Sequence, residues 1–379
     1  MRLEPQSTPA PAAHGIRVAW VAGPETPASL GRTLQPLAIG LMDEMIDLVA
    51  LCPQEADVRD LPSPPLEVIR YTPPPWWSFG GSLDALSDHL RKRRVVLVHA
   101  LETAVAELAR RLARDINVPY VVSTYSLDAS GWLARAEHQA WAVLAGSEPV
   151  RNDLLAQRVS LPDHTYLVRP GVYQVRHATC FTDPQLRVVI VAGGRMDDYL
   201  AFDAVLRSFA ELRGRGFDCV FFLMGDGRAE RLLRARSEKL GLRHDLTFVD
   251  WQSPSQLSGI FKAADIYVSP APSRQVDIYS LLAMAAGVPV LAATSVASDF
   301  IIEGKTALLF TTGDSEELTA KLVGLLDNHP AAGALAESAL EHLRVRHSPA
   351  GMVTALAEIY RQAAQPANAR AVETPARIP

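Results

Sequence analysis

The sequence predicts an α/β protein with two parallel sheets, each covered by helices. Short apolar runs alternate with amphipathic helical segments along most of the 379 residues, the pattern of repeated βα units. The second half restarts with the continuous apolar run Val188–Ala192, which suits a strand buried on both faces of a parallel sheet. A chain of this length is expected to form two domains of ordinary size, each with its own core.

The first half predicts seven strands separated by helices. The strands are Ile16–Ala22, Ile46–Leu51, Glu67–Tyr71, Val95–His99, Pro119–Thr124, Ala142–Gly146 and Tyr166–Val168. The helices between them are expected near Arg32–Asp43, Glu102–Ile116, Trp132–Trp141 and Pro149–Ala156, with a polar helix ending at Arg91–Arg94. We interpret that basic run as a solvated helix end favoured by the helix dipole, with a lipid- or acid-binding patch as the alternative.

The second half repeats the alternation. Its strands are expected at Val188–Ala192, Cys219–Met224, Leu246–Val249, Ile266–Ser269, Val288–Ala292 and Ala307–Thr311. Helices follow from Gly194 to about Arg213, at Arg228–Leu240 and at Ser255–Ala263. An Ala-rich helix that includes Ala283 ends at Gly287, another begins at Ser315, and two more run to about Ala364.

These elements set the predicted domain limits. We expect a first domain, a linker, a second domain and a C-terminal helix that packs back on the first domain, flanked by polar disordered tails. The limits are 1–15 for the first tail, 16–173, 174–187, 188–345, 346–365 for the final helix and 366–379 for the last tail.

Composition excludes several classes of function. The net charge of −5 lacks the basic bias of a nucleic-acid-binding protein. Cys52, Cys180 and Cys219 lie far apart without metal-ligand spacing, so a reduced, cytoplasmic chain without a metal or cofactor is expected. No apolar run suits a membrane helix, although peripheral contact with the inner membrane face needs only one amphipathic surface. The aromatic, Pro-rich loop 72–81 could contact an acceptor or a membrane, or pack on its own domain.

Several motifs occur in an informative order. Gly194-Arg195 ends the first strand of the second domain, and Gly225-Asp226-Gly227 follows the next strand. Ala264-Asp265 precedes an apolar strand, and Ala283-Met284-Ala285 precedes Gly287-Val288-Pro289-Val290. Together these motifs resemble those of the family-4, or group 1, glycosyltransferases. The resemblance implies the GT-B fold, in which two Rossmann-like domains face each other across a cleft.

The resemblance also implies a reaction. Such enzymes transfer a sugar from a nucleotide-sugar donor, here a UDP- or GDP-sugar, with retention and usually without metal. An Arg and a Lys hold the diphosphate, two glutamates contact the sugar and ribose, and a first-domain histidine contacts the sugar. Carried onto this chain, Gly194, Arg195, Gly225, Asp226 and Gly227 are expected on the donor side.

The chain departs from the family at most of the polar positions. It has Leu200 in place of the Lys, Arg274 and Leu282 in place of the two glutamates, and Tyr125 in place of the histidine. Ser295 stands where a glycine is usual.

Three of the candidate residues have two interpretations each. Arg274 could replace the missing Lys at the phosphate or face solvent. Asp277 could act at the donor or cap a helix. His99, at the end of its strand, could contact a ligand or be a buried structural residue. Gly31, Arg32, His99 and Tyr125 are the candidates on the acceptor side.

Two functions follow from these observations. The first is a glycosyltransferase acting on a glycan, lipid or small acceptor. The second is a catalytically silent protein of the same fold that serves as a scaffold, a partner subunit of another glycosyltransferase, or a glycan-binding module. The sequence leaves open whether the chain is an enzyme, because polar residues of the expected site are replaced and the fold alone does not determine function.

Overall fold

The computed structural model describes most of the chain. The described residues are 15–23, 26–56, 58, 66–72, 80–129, 133, 140–182, 186–250, 254–294 and 296–365. The following lie outside these residues: both predicted tails except for Gly15, almost all of the loop 72–81, most of the helix expected at Trp132–Trp141, and Ser295.

The first sheet is parallel throughout and has the order β3-β2-β1-β4-β5-β6-β7. Its strands are β1 (Ile16–Val21), β2 (Ile46–Pro53), β3 (Glu67–Tyr71), β4 (Leu97–Ala100), β5 (Tyr120–Thr124), β6 (Ala142–Ala145) and β7 (Thr165–Leu167). The described helices of this half are α1 (Thr26–Asp43), α2 (Gly80–Lys92), α3 (Ala106–Ile116) and α4 (Glu148–Ala156).

The second sheet is also parallel, with the order β10-β9-β8-β11-β12-β13. Its strands are β8 (Val188–Gly193), β9 (Cys219–Met224), β10 (Leu246–Val249), β11 (Ile266–Ser269), β12 (Val290–Ala293) and β13 (Ala307–Phe310). The helices are α5 (Tyr199–Gly214), α6 (Glu230–Lys239), α7 (Pro254–Lys262), α8 (Ile278–Ala285), α9 (Ser315–Leu326), α10 (His329–Arg346) and α11 (Pro349–Ala363).

Both sheets therefore have the predicted Rossmann-like topology. In each sheet the strand order reverses once, between β1 and β4 and between β8 and β11. In open α/β sheets ligands bind beyond the carboxyl ends of the strands at this point. The exact domain limits remain predictions. None of the helices in the described part of the chain combines the length and apolarity that crossing a bilayer requires.

The start of α1 differs from the prediction. The helix begins at Thr26, one turn and more before Arg32. The Thr26 hydroxyl accepts a hydrogen bond from the Gly23 N–H at 2.9 Å, and Pro27 is tolerated in a first helical turn because it has no N–H to satisfy. Pro36 also lies inside this helix. Because proline usually interrupts a helix, the sequence predicted a shorter helix than the structure has.

The C-terminal helix α11 packs on the first sheet, as predicted. The Trp20 Nε1–H donates to the Tyr360 hydroxyl at 2.9 Å, and both side chains are buried. At the surface, Arg361 pairs with Glu44 at 2.7 Å. The last helix thus joins the second half of the chain to the first.

Asp265 has a structural role that explains its place in the motif Ala264-Asp265. One carboxylate oxygen accepts the Phe181 N–H at 2.6 Å, and the other accepts the Val189 N–H at 2.9 Å. Asp265 therefore fixes the incoming linker against the first strand of the second sheet. Hydrogen bonds to a charged group contribute about 1.5–3 kcal/mol each.

We expect Asp265→Ala to lower the free energy of unfolding by about 2–4 kcal/mol, because it leaves two backbone N–H groups without their acceptor. Urea unfolding measures this change. The matched control is Asp218→Ala, which removes an exposed ion pair with Arg187 and should cost no more than about 1 kcal/mol. Equal losses for the two variants would contradict this role of Asp265.

Candidate functional site

A cleft of about 430 Å³ lies at the carboxyl ends of both sheets, a volume within the range of small-molecule sites. The first sheet contributes Glu102, Thr103, Tyr125 and Ser126. The second sheet and its loops contribute Gly193, Gly194, Arg195, Asp197, Asp198, Ser269, Ala271, Pro272, Ser273, Gln275, Val276, Asp277, Ile278 and Tyr279. Both halves of the chain thus line a single cavity at the edge where ligands of such sheets bind.

Arg195 lines this cleft directly after β8. Its guanidinium lies 3.3 Å from the Asp197 carboxylate and 3.9 Å from that of Asp226, and its side chain is 61% exposed. An exposed arginine with distant carboxylate partners can turn towards an anion at small cost. Arg195 is the one cation among the described residues that line the cleft.

The predicted turn Gly225-Asp226-Gly227 packs against the backbone of the turn Gly194–Met196, which carries Arg195. Gly225 has φ +132° and lies so close to the Gly194 backbone that a Cβ would sit 2.1 Å from its carbonyl oxygen. A Cβ at Gly227 (φ +153°) would sit 2.4 Å from the backbone of Met196. Both glycines are therefore needed so that the two turns can touch. The three residues of this turn are not among those lining the cleft.

Asp277 is the N-cap of α8. Its carboxylate accepts hydrogen bonds from the Ser280 N–H at 3.0 Å, the Ser280 hydroxyl at 2.6 Å and the Ser269 hydroxyl at 2.8 Å. Asp198 caps α5 in the same way, through the Ala201 N–H. Helix N-termini are natural binding sites for anions. At the two N-termini that border the cleft, those of α5 and α8, the side-chain carboxylates of Asp198 and Asp277 already take this place.

A backbone pairing closes one side of the cleft. The Leu127 N–H donates to the Arg274 carbonyl at 2.9 Å, and the Val276 N–H donates to the Tyr125 carbonyl at 2.7 Å. Ser126 and Gln275 form an antiparallel bridge between these two bonds. We call Tyr125–Asp128 together with Arg274–Val276 the clasp, since the two segments belong to opposite sheets.

The Arg274 side chain takes part in the clasp. Its Nε–H donates to Asp128 at 2.6 Å, and the two side chains are 60% and 63% exposed. The guanidinium thus contacts a carboxylate of the opposite half of the chain, whereas its neighbours Ser273 and Gln275 line the cleft. An ion pair this exposed contributes about 1 kcal/mol at most.

The two leucines at the other altered positions do not face the cleft. Leu200, in the first turn of α5, is 69% exposed. Leu282 is buried and lines a second cavity of about 290 Å³ between α1, α7 and α8. Neither side chain replaces a polar group within the cleft.

On the first-sheet side, Tyr125 lines the cleft and His99 lies behind it. Tyr125 is partly buried with its ring against Gly146, and burial raises its pKa to about 12. His99 is buried within β4, and burial lowers its pKa to about 3. Gly31 and Arg32 lie within α1, and their side chains fall outside the description.

Sequence reasoning missed several polar residues of the cleft. Glu102 accepts a hydrogen bond from the Thr26 hydroxyl at 2.5 Å, and Asp197 accepts one from the Arg228 N–H at 3.1 Å. The Arg228 amide is the main cause that lowers the pKa of Asp197. The sequence signal that could have pointed to these two acids is their position just after the carboxyl ends of strands, β4 for Glu102 and β8 for Asp197.

Within the described ranges, no cluster of three His, Cys, Asp or Glu side chains could hold a metal ion.

Comparison with known proteins shows that the second half of the chain is similar to glycosyltransferases. Residues 187–328 match the family model described as "Glycosyl transferases group 1". The D-inositol 3-phosphate glycosyltransferase of Rhodococcus erythropolis is 28% identical over 282 residues, which cover 70% of this chain and 60% of that protein. The enzyme of the same name from Mycobacterium marinum is 29% identical over 220 residues, covering 57% and 46%. The chain thus spans less than two thirds of these relatives.

Solved structures agree on the fold. Anabaena HepE, in complex with UDP and glucose, has a TM-score of 0.74 at 17% identity, covering 92% of this chain and 100% of that one. A glycosyltransferase from Rickettsia africae also has a TM-score of 0.74, at 14% identity, with 93% and 99% covered. The chain therefore has the GT-B fold, and its residues 187–328 match the group 1 glycosyltransferase model, as the sequence motifs predicted.

We expect Arg274→Glu to weaken the clasp, because it places a carboxylate against Asp128. The change should weaken the pairing of the two segments about fivefold, equivalent to about 1 kcal/mol. Single-molecule energy transfer between dyes on exposed positions of α2 and α9 measures it. The charge-swapped double variant, Asp128→Arg with Arg274→Glu, is the control and should restore the original distances. A double variant that stays as open as the single one would refute the pairing.

Proposed function

We propose that this protein is a retaining glycosyltransferase that binds a nucleoside-diphosphate sugar in the cleft. The observation that carries the proposal is the position of Arg195, exposed to the cleft at the carboxyl end of β8 and fixed there by the turns around Gly194 and Gly225. A guanidinium at this point suits the diphosphate of the donor. The UDP bound by the structural neighbour HepE supports UDP as the first ligand to test.

In this proposal the chain's residues stabilise the charges of the reaction. The bond between the anomeric carbon and the diphosphate oxygen breaks, and its electron pair stays with the nucleotide, where Arg195 offsets the new negative charge. The acceptor hydroxyl oxygen bonds to the same face of the anomeric carbon, and its proton passes to the leaving diphosphate. The carboxylates of Glu102 and Asp277 in the cleft favour the developing positive charge on the sugar.

The acceptor is proposed to be a neutral hydroxyl compound, such as a glycan, lipid or small alcohol. The relatives are named for D-inositol 3-phosphate, which carries a phosphate. Among the described cleft residues of the first sheet, however, Glu102 is the one charged group. A carboxylate repels a phosphorylated acceptor, so we do not extend that acceptor to this chain. Peripheral membrane contact and a cytoplasmic location remain predictions from the sequence.

The second candidate is a catalytically silent partner or glycan-binding protein. Four carboxylates, those of Glu102, Asp197, Asp198 and Asp277, line the cleft beside the single Arg195. This charge balance opposes a diphosphate. The capped N-termini of α5 and α8 remove two further anion contacts. Such a protein would keep the fold and bind another glycosyltransferase or a glycan instead.

Ligand titration separates these two functions. UDP and UDP-glucose should raise the melting temperature, because a ligand held only by the folded state stabilises it. Arg195→Ala should weaken UDP binding by about 10- to 100-fold, the loss of one or two charge-assisted hydrogen bonds. Arg228→Ala is the matched control, since Arg228 also approaches Asp197 but is 87% exposed and does not line the cleft. No response to UDP, GDP or a panel of their sugars at millimolar concentration would reject the enzyme in favour of the silent protein.

The negative charge of the cleft predicts a gain in affinity on neutralisation. Asp197→Asn keeps an oxygen for the Arg228 N–H and removes the carboxylate beside Arg195. We expect it to strengthen UDP binding about three- to tenfold in calorimetric titration at low salt. Asp218→Asn, remote from the cleft, should change nothing. Weaker UDP binding in Asp197→Asn would mean that the carboxylate helps to hold the ligand, contrary to the proposed phosphate position.

A further inference from the structure

We infer that the packing of the two halves of the chain sets the position of the Asp277 carboxylate in the cleft, and that Ser298 is the positioning residue between them. This inference deepens the proposed function and rests on it for the role of Asp277. The contacts that carry it belong to three consecutive residues, 297–299, in the loop after β12. We call this segment, together with its partners in the first half, the joint. Those partners are Ser147, Glu148 and Arg169.

The outer two residues of the segment bind the first half of the chain. The Ala297 carbonyl accepts the hydroxyl of the fully buried Ser147 at 2.6 Å. One Asp299 carboxylate oxygen accepts from the Arg169 guanidinium at 2.8 Å and from the Glu148 N–H at 3.2 Å. The Arg169 and Asp299 side chains are 16% and 14% exposed, so salt and water screen this ion pair less than a surface pair. The segment is therefore fixed to the first half at both of its ends.

The middle residue of the segment binds Asp277. The Ser298 hydroxyl oxygen accepts the Asp277 N–H at 2.9 Å, and Ser298 is buried. Asp277 itself lines the cleft. Each residue has two soft backbone dihedrals, so a residue between two fixed neighbours has little freedom to move by itself. A shift of the first half is therefore passed through Ser298 to the backbone of Asp277.

The clasp fixes Asp277 from its other side. Val276, the residue before Asp277, donates its N–H to the Tyr125 carbonyl at 2.7 Å. Asp277 is thus held between two connections to the first half, one through the clasp and one through Ser298 of the joint. Its place in the cleft therefore depends on how the two halves pack, and not on its own sheet alone.

The Asp277 carboxylate is fixed as well as its backbone. It accepts the hydroxyls of Ser269 and Ser280, both buried, at 2.8 and 2.6 Å. In the proposed reaction this preorganised carboxylate favours the positive charge that develops on the sugar, an interaction that acts on the transition state more than on the bound donor. Loss of the Ser298 contact should therefore lower kcat and leave KM nearly unchanged. Because Ser298 acts through Asp277, its loss should have no further effect once the carboxylate is gone.

The first test measures the coupling without any ligand. Hydrogen exchange at the Asp277 amide should become about tenfold faster in Ser298→Ala, because the amide loses its acceptor. Ser147→Ala and Asp299→Asn change the joint without touching Asp277, and each should speed exchange at that amide about threefold. Ser208→Ala is the matched control, since Ser208 is also fully buried and also donates to backbone carbonyls but lies outside the joint and the cleft. Exchange at the wild-type rate in both joint variants, or equal acceleration in the control, would overturn the coupling.

The second test measures the reaction with water as the acceptor. The donor is UDP-glucose, or the sugar of a UDP and GDP panel that the wild type cleaves fastest. The bond from the anomeric carbon to the diphosphate oxygen breaks, the water oxygen bonds to that carbon, and a water proton passes to the released diphosphate. Ser298→Ala should lower kcat about tenfold with KM changed less than twofold, the effect of losing one hydrogen bond. Ser298→Thr keeps the hydroxyl and should restore most of the rate, and Ser208→Ala should leave the rate unchanged.

A double variant separates positioning from a general loss of structure. Ser298→Ala combined with Asp277→Asn should be no slower than Asp277→Asn alone, because both changes act on the same carboxylate. Losses that add in the double variant, or a rise in KM in place of the fall in kcat, would overturn the role of Ser298. A wild type that releases no nucleotide from any sugar of the panel overturns the proposed function instead, and hydrogen exchange then still decides whether the joint sets the position of Asp277.

Discussion

The backbone pairing across the cleft is the constraint on which the rest of the site depends. Two hydrogen bonds join Tyr125–Leu127 to Arg274–Val276, and these segments lie 146 residues apart where Arg274 meets Asp128. The pairing sets how the carboxyl ends of the two sheets face each other, and therefore the volume between Arg195 and Tyr125. Because backbone groups form the bonds, the pairing tolerates side-chain change more readily than an ion pair does. The exposed ion pair between Arg274 and Asp128 adds a small, charge-dependent contribution to this pairing.

The clasp also gives a physical reason for one of the altered polar positions. Arg274 stands where the resembled glycosyltransferases carry a glutamate, and its partner is a carboxylate of the first half of the chain. Leu282 lines a separate cavity, and the Asp277 carboxylate accepts a hydrogen bond at the N-terminus of α8. The cleft holds one cation, Arg195, beside the carboxylates of Glu102, Asp197, Asp198 and Asp277. In the proposed function, recognition of a donor therefore depends on Arg195 and on backbone groups, in a site rebuilt on the same fold.

Most of the fold could be predicted from the sequence, because strands buried on both faces of a parallel sheet appear as apolar runs such as Val188–Ala192. The turns at Gly194 and Gly225 were predictable for a similar reason, since close backbone contact requires glycine. The contact of Arg274 with Asp128 could not be predicted, because it depends on how two segments far apart in the sequence meet in the fold. Glu102 and Asp197 are single acids without a local pattern, and the Trp20–Tyr360–His99 contacts join residues up to 340 positions apart.

Hydrogen exchange at the clasp tests the account most directly. The amides of Leu127 and Val276 lie in segments outside any helix or long strand, and they are bonded across the cleft. If the clasp is formed in solution, both should exchange at least about tenfold more slowly than an unstructured loop, and more slowly still with UDP-glucose bound. Exchange at the rate of an open loop, with and without the ligand, would contradict the claim that this pairing organises the site.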